Sequence, residues 1–122
     1  MKNVNKYAID LLDEDLGFWV TWLSQKETNL PMAVWVTIKQ IAKRVPILLV
    51  SNNHLFRGNI RKAISVSIRD NPKIKAGGDL KASDFELVKK FIILNKEVLL
   101  DHWRFKIDSC DLVKRLKPIE KP

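Results

Sequence analysis

Cysteine, histidine and glycine are scarce in this 122-residue chain, at one, two and four residues, and each scarcity removes a class of structure. The lone Cys110 can form no internal disulfide and can join no multi-cysteine zinc site, so the chain is expected to hold together by packing in a reducing compartment. With only His54 and His102, a metal centre would rest on carboxylates, and none are spaced as ligands, so no metal and no cofactor is expected. The glycine pair in "AGGD", residues 76–79, lacks the GxGxxG and GxxxxGK spacings and reads as a turn rather than a phosphate cradle. HExxH and GxSxG are absent. Apolar runs such as "PILLV" and "FIIL" are too short to cross a bilayer. The N-terminal "MKNVNKYAIDLLDED" is acidic where a signal peptide would be basic and then apolar. These absences lead to the expectation of a cytoplasmic protein with no membrane partner.

What is present fits one globular domain over 1–122: 46% of residues are apolar and 30% charged, enough apolar material to bury a single core. The net charge of +8 is unevenly placed. Residues 1–31 carry three basic and five acidic side chains, and residues 82–122 carry nine and seven. Residues 32–81 carry ten basic side chains against only Asp70 and Asp79. Such asymmetry suits an anionic partner, nucleic acid or an acidic protein, with Lys39, Lys43, Arg44, Arg57, Arg61 and Lys62 as the contacting residues. A solvated surface that keeps the chain from aggregating is the alternative.

Periodicity divides the chain into an N-terminal helical segment (1–30), a basic strand-rich segment (31–78) and a helical segment (79–122). "DEDLGFWVTWLSQ" fits a helix through Leu16, Trp19, Val20 and Leu23, and fits a strand through Phe18, Val20 and Trp22. "MAVWVTIK" predicts a strand near 32–39, although Trp35, Ile38, Ala42 and Val45 also suit a helix. "VPILLV" predicts a strand near 45–50, with Pro46 at its start or on an edge. "KAISVSIRDNP" alternates, sending Ile64, Val66 and Ile68 one way and Ser65, Ser67 and Arg69 the other. "KIKA" returns as a short strand. The fold expected is α+β: a mostly antiparallel sheet of three or four strands, packed by a long C-terminal helix and flanked by short ones.

That long helix opens with "SDFE", which has the spacing of a capping box between Ser83 and Glu86, and runs to about Trp103. A second helix begins at the cap Asp108 and ends before Pro118. Leu87, Val88, Phe91, Ile92, Leu94, Val98, Leu99 and Trp103 form the apolar arc of the long helix. Asn95 and His102 fall within it, about 10 Å apart at 1.5 Å per residue, so each needs its own partner if buried. Asn95 suits a strand edge or loop backbone through its two-sided amide, and His102 suits a free carbonyl in the last turn. A ligand-binding role for either is the other reading. Ile93 and Leu100 lie on the charged side, to be covered by the second helix or by a partner protein or second subunit.

The catalytic candidate is His54 in "SNNHLFRGNIRK". A loop histidine that moves a proton, with Arg57 or Arg61 stabilising phosphate charge, would describe a small endoribonuclease.

"SVSIRDNPKIKAGGDLKASDFELVKKFIILNKEVLLDHW", followed by "IDSCDLVKRLKPI", resembles a group of short uncharacterised bacterial proteins. In that group "LPM" leads into a strand and an "LN-x-x-x-L-x-x-W" helix follows an "SVSI" strand. The likeness covers roughly 30–119. The chain is also distantly similar to a bacterial domain of unknown function that ends in a comparable helix and often lies beside genes of toxin–antitoxin type. That domain carries a proline- and histidine-rich strand, whereas "RVPILLVSNNH" keeps one proline and moves its histidine beyond the strand. The resemblance implies a regulatory or accessory protein of a toxin–antitoxin-like locus or mobile element, and it assigns no functional residues. A non-catalytic binding protein is therefore the leading expectation, with an endoribonuclease toxin and an oligomerising module using Ile93 and Leu100 as alternatives.

Overall fold

A computed structural model of the protein describes residues 20–37, 46–51 and 63–120. Five short strands form one sheet in sequence order, β1 (Val20–Leu23), β2 (Val34–Thr37), β3 (Ile47–Val50), β4 (Ile64–Ser67) and β5 (Ile74–Ala76). Every pairing is antiparallel. A single helical turn, α1 (Gln25–Thr28), lies between β1 and β2; α2 (Ala82–Trp103) and α3 (Ser109–Arg115) follow the sheet. The fold is α+β, with one strand more than the three or four expected. The extra strand comes from the aromatic stretch whose period fitted helix and strand equally.

The register shows why strand wins there. Leu23 pairs with Val34, Val34 with Val50, and Val50 with Ile64. This row, together with Val36, Leu48 and Val66, faces α2 and forms the main core. Phe91, Val88, Ile92 and Leu99 of α2 close it from above. Burying each such side chain is worth about 1.5–3 kcal/mol, and Leu23 reaches that layer only as part of a pleated strand. Pro46 directly precedes β3, where its missing amide donor costs no ladder bond, and its carbonyl accepts from the Ile68 amide at 3.0 Å.

The other face of the sheet is covered as well: Ser65 and Ser67, which point away from Ile64 and Val66, are fully buried, as are Ile47 and Leu49 beside them. β2, β3 and β4 are buried on both faces. Small hydroxyls suit such a strand because they can bond locally: Ser67 Oγ accepts from the Lys73 amide at 2.9 Å, which narrows the β4–β5 hairpin. Ser65 Oγ has no hydrogen-bond partner.

Two caps also depart from the sequence pattern. α2 starts two residues earlier than a Ser83 cap allows, with Lys81 at the N-cap, so the "SDFE" box does not form. Glu86 instead pairs with Lys89 at 2.9 Å. The reciprocal cap is at α1, where the Glu27 carboxylate accepts from the amide and hydroxyl of Ser24 at 2.7 and 3.0 Å. α3 behaves as expected: Asp108 accepts from the Asp111 amide at 2.8 Å, and the helix ends ahead of Pro118. In the "AGGD" segment Ala76 ends β5 and the chain bends at Gly77. Gly77 and Gly78 have φ of 96° and 110°, and a Cβ on Gly77 would run into the backbone of Ala63 and Ile64.

Candidate functional site

The buried stripe of α2 runs through Val88, Phe91, Ile92, Asn95, Val98, Leu99, His102 and Trp103, so both polar residues lie in its middle. Asn95 is 2% exposed. Its Nδ2 donates to the carbonyls of Phe91 and Lys117 at 3.0 and 2.9 Å. Its Oδ1 accepts from the Lys117 amide at 2.8 Å. The side chain thus pairs with one residue of the exiting chain much as a neighbouring strand would. Pro118 makes this possible, because the residue before a proline is driven out of the helical region and its amide and carbonyl become available. Further along, the Ile119 amide donates to Thr28 O at 3.1 Å, and Asn29 Nδ2 donates to Ile119 O at 2.8 Å. Residues 116–119 form a strap tied to α2 at one point and to the end of α1 at the next, with Leu116 and Ile119 buried beneath it.

His102 has a different partner from the free carbonyl expected of it. The C-terminus of α2 is closed by backbone alone: the Phe105 amide donates to His102 O at 3.1 Å, and the Lys106 amide to Asp101 O at 2.8 Å. This is a Schellman arrangement with Phe105 at φ 65°, where glycine is usual. The His102 ring therefore turns to α3, where Nε2 lies 3.1 Å from Ser109 Oγ, and Ser109 Oγ lies 2.8 Å from Thr21 Oγ1 of β1. The chain of three side chains fastens β1, α2 and α3 together. Burial pushes the imidazole below its ordinary pKa, and the nearby Asp108 carboxylate opposes that shift.

Between the outer side of α2 and the strap lies a groove of about 600 Å³. Ile93 and Leu94, 57% and 47% exposed, line it on α2. Lys96 and Glu97 line it on α2, and Lys114, Arg115 and Lys117 line it opposite. Among the described residues, four cationic side chains and one carboxylate thus line it. Lys96 is held at 2.7 Å by the exposed Asp70 of the β4–β5 turn. That contact lowers the Asp70 carboxyl and raises the Lys96 ammonium, by hydrogen bond and charge. Arg115 is 3.9 Å from Asp101. Among the described residues, Lys114 and Lys117 form no ion pair.

The sequence candidates divide accordingly. Lys39, Lys43, Arg44, His54, Arg57, Arg61 and Lys62 lie outside the described residues. Ile93 and Leu100 do not form a shared exposed pair: Leu100 packs against the core while Ile93 is exposed. The apolar arc is narrower than helical averaging implied, so Leu94, placed inside it, is half exposed beside Ile93. The groove was missed because its cations come from two helices. "VKRLKP" carries the signal in the form of a basic helix end just before a proline, but nothing in that stretch says which surface it meets. Among the described residues no cluster of three histidine, cysteine or carboxylate side chains could hold a metal. No helix among them is long and apolar enough to cross a membrane. No family model, curated protein or solved structure matches the chain.

Proposed function

We propose that the protein is a non-catalytic binding protein whose partner is an anionic macromolecule. The groove between α2 and the strap supports this reading: lysines and an arginine surround exposed aliphatic carbon. Its sign agrees with the chain's net charge of +8. The two polar residues buried in α2 are engaged in holding the fold, through bonds to Lys117 and Ser109. The resemblance to bacterial proteins found near toxin–antitoxin genes suits a regulatory or accessory role at such a locus or on a mobile element. The test is fluorescence anisotropy with labelled single-stranded RNA, duplex DNA and polyglutamate across a salt series. At least one polyanion should bind, with affinity falling as salt rises; for nucleic acid each neutralised contact should reduce the log–log slope by about 0.7 to 0.9. No binding of any of the three at low salt would refute the proposal.

The exposure of Ile93 and Leu94 also favours a second reading, self-association through α2. Sedimentation velocity across a concentration series distinguishes the two, since only self-association makes the mass depend on concentration.

A further inference from the structure

We propose that the groove between α2 and the strap docks an acidic amphipathic helix of a partner protein. This rests on the anionic-partner reading and narrows it to one class of partner and one site. Three observations carry it.

The first is the combination of side chains. Ile93 and Leu94 present exposed aliphatic carbon on the α2 side of the groove, and Lys114 and Lys117 line it from the chain opposite. A nucleic-acid backbone would answer the cations but leave the aliphatic carbon against phosphate and sugar. Base stacking needs aromatic faces, and among the described residues no aromatic side chain lines the groove. A helix with leucine-like residues along one stripe and carboxylates flanking it answers both.

The second is Glu97. It lines the groove on α2, 3.9 Å from the Lys96 ammonium, so it offsets part of the positive charge that phosphates tracking the whole surface would need. A peptide helix places its carboxylates along its flanks, so they can face the lysines of the opposite wall and leave Glu97 to solvent.

The third is the state of the strap backbone. A peptide bound in extended form gains affinity by adding to an exposed edge of free amides and carbonyls. At Lys117 both groups are already taken by Asn95. The Leu116 amide is taken by Leu112 O at 2.9 Å. The wall offers side chains and little backbone, which favours an occupant whose own backbone is satisfied internally, as a helix is.

The experiment uses the full chain and a synthetic peptide of glutamate with leucine at helical spacing. One control shuffles the same composition so that leucines surround the helix, and another replaces each leucine with serine. Binding is read by calorimetry and by amide chemical shifts. The patterned peptide should bind, shifting resonances along 93–97 and 114–117, and both controls should bind at least about tenfold more weakly. The double variants Ile93→Ser/Leu94→Ser and Lys114→Gln/Lys117→Gln should each weaken it by about tenfold or more. These side chains are solvent-facing, and circular dichroism confirms that each variant is folded; Ile93→Gln is the milder alternative. Equal binding of the shuffled peptide, or indifference to both double variants, overturns the proposal while leaving the anionic-partner reading standing. RNA or DNA binding lost in the same variants, with no peptide binding, replaces the occupant and also overturns it. A dimer that the Ile93→Ser/Leu94→Ser change dissolves assigns the groove to a second copy, again against the proposal. If neither peptide nor any polyanion binds, both readings fall together.

Discussion

Replacing Asn95 with leucine removes three hydrogen bonds while keeping the same number of side-chain heavy atoms, and the structure says how much that should cost. The bond to Phe91 O is local to the helix, and losing it leaves that carbonyl to its helical partner. The two bonds to Lys117 are the ones that matter, because they tie residues 22 positions apart. Each is worth about 0.5–1.5 kcal/mol net, and stranding a buried donor or acceptor costs about 1–3 kcal/mol. The Lys117 amide and carbonyl are part-buried, so some hydration is recovered, and leucine's better helix propensity returns a few tenths of a kcal/mol. Asn95→Leu should therefore destabilise by about 2–4 kcal/mol. Urea unfolding followed by tryptophan fluorescence measures it: the midpoint should fall by roughly 1–2 M with the slope unchanged, for a slope of about 1–3 kcal/mol/M. Hydrogen exchange gives a residue-specific reading, since the Lys117 amide should be protected in the wild type and exchange freely in the variant. A leucine variant as stable as the wild type, with Lys117 still protected, would refute the clamp and reopen Asn95 as a ligand-binding residue.

Two further outcomes follow from the end of α2. Because burial holds His102 below its ordinary pKa, the folded state binds fewer protons than the unfolded chain at pH values between the folded and unfolded pKa. Stability should accordingly be complete above pH about 6.5 and decline as pH falls from there toward the folded-state value; the decline should shrink in His102→Gln, and an identical pH profile for the two proteins would sink this account. At Phe105, whose side chain is 55% exposed, a left-handed φ of 65° strains a residue that has a Cβ. Phe105→Gly should gain about 0.5–1 kcal/mol in a thermal melt, the left-handed penalty less the entropy cost of glycine; a loss of stability would mean that the ring contributes packing worth more than the strain.

The helices were the readable part of the sequence, because their signals are local. Asp108 caps α3, Pro118 stops it, and the stripe from Val88 to Trp103 follows from spacing alone. Features that depend on distant neighbours were not readable. The stretch ending at Leu23 fits two periods, and only its pairing with β2 selects one. Ser65 and Ser67 have the alternation of a half-exposed strand, and nothing within "ISVS" reports that both faces are covered. "SDFE" has the spacing of a capping box, but α2 begins at Ala82 and puts Ser83 inside the first turn. The groove was hidden for a related reason. Charge counted along the chain pointed to residues 32–81, while folding brings Lys96 together with Lys114, Arg115 and Lys117.

The clamp and the groove are two sides of one construction. Lys117 lines the groove with its side chain while its backbone is held by Asn95 from beneath. The strap could have closed over α2 by apolar burial of Leu116 and Ile119 alone, but such contacts tolerate sliding and fix no register. A side-chain amide that both donates to and accepts from a single residue sets the strap to one position along α2. This fixes the separation between the aliphatic side chains on α2 and the cations of the opposite wall before any partner arrives. Ordering a loop at the moment of binding subtracts from affinity, and a wall already ordered by folding avoids that loss. On the proposed reading, a polar residue in the middle of an otherwise apolar helix would serve recognition without touching the partner, by holding the surface that does.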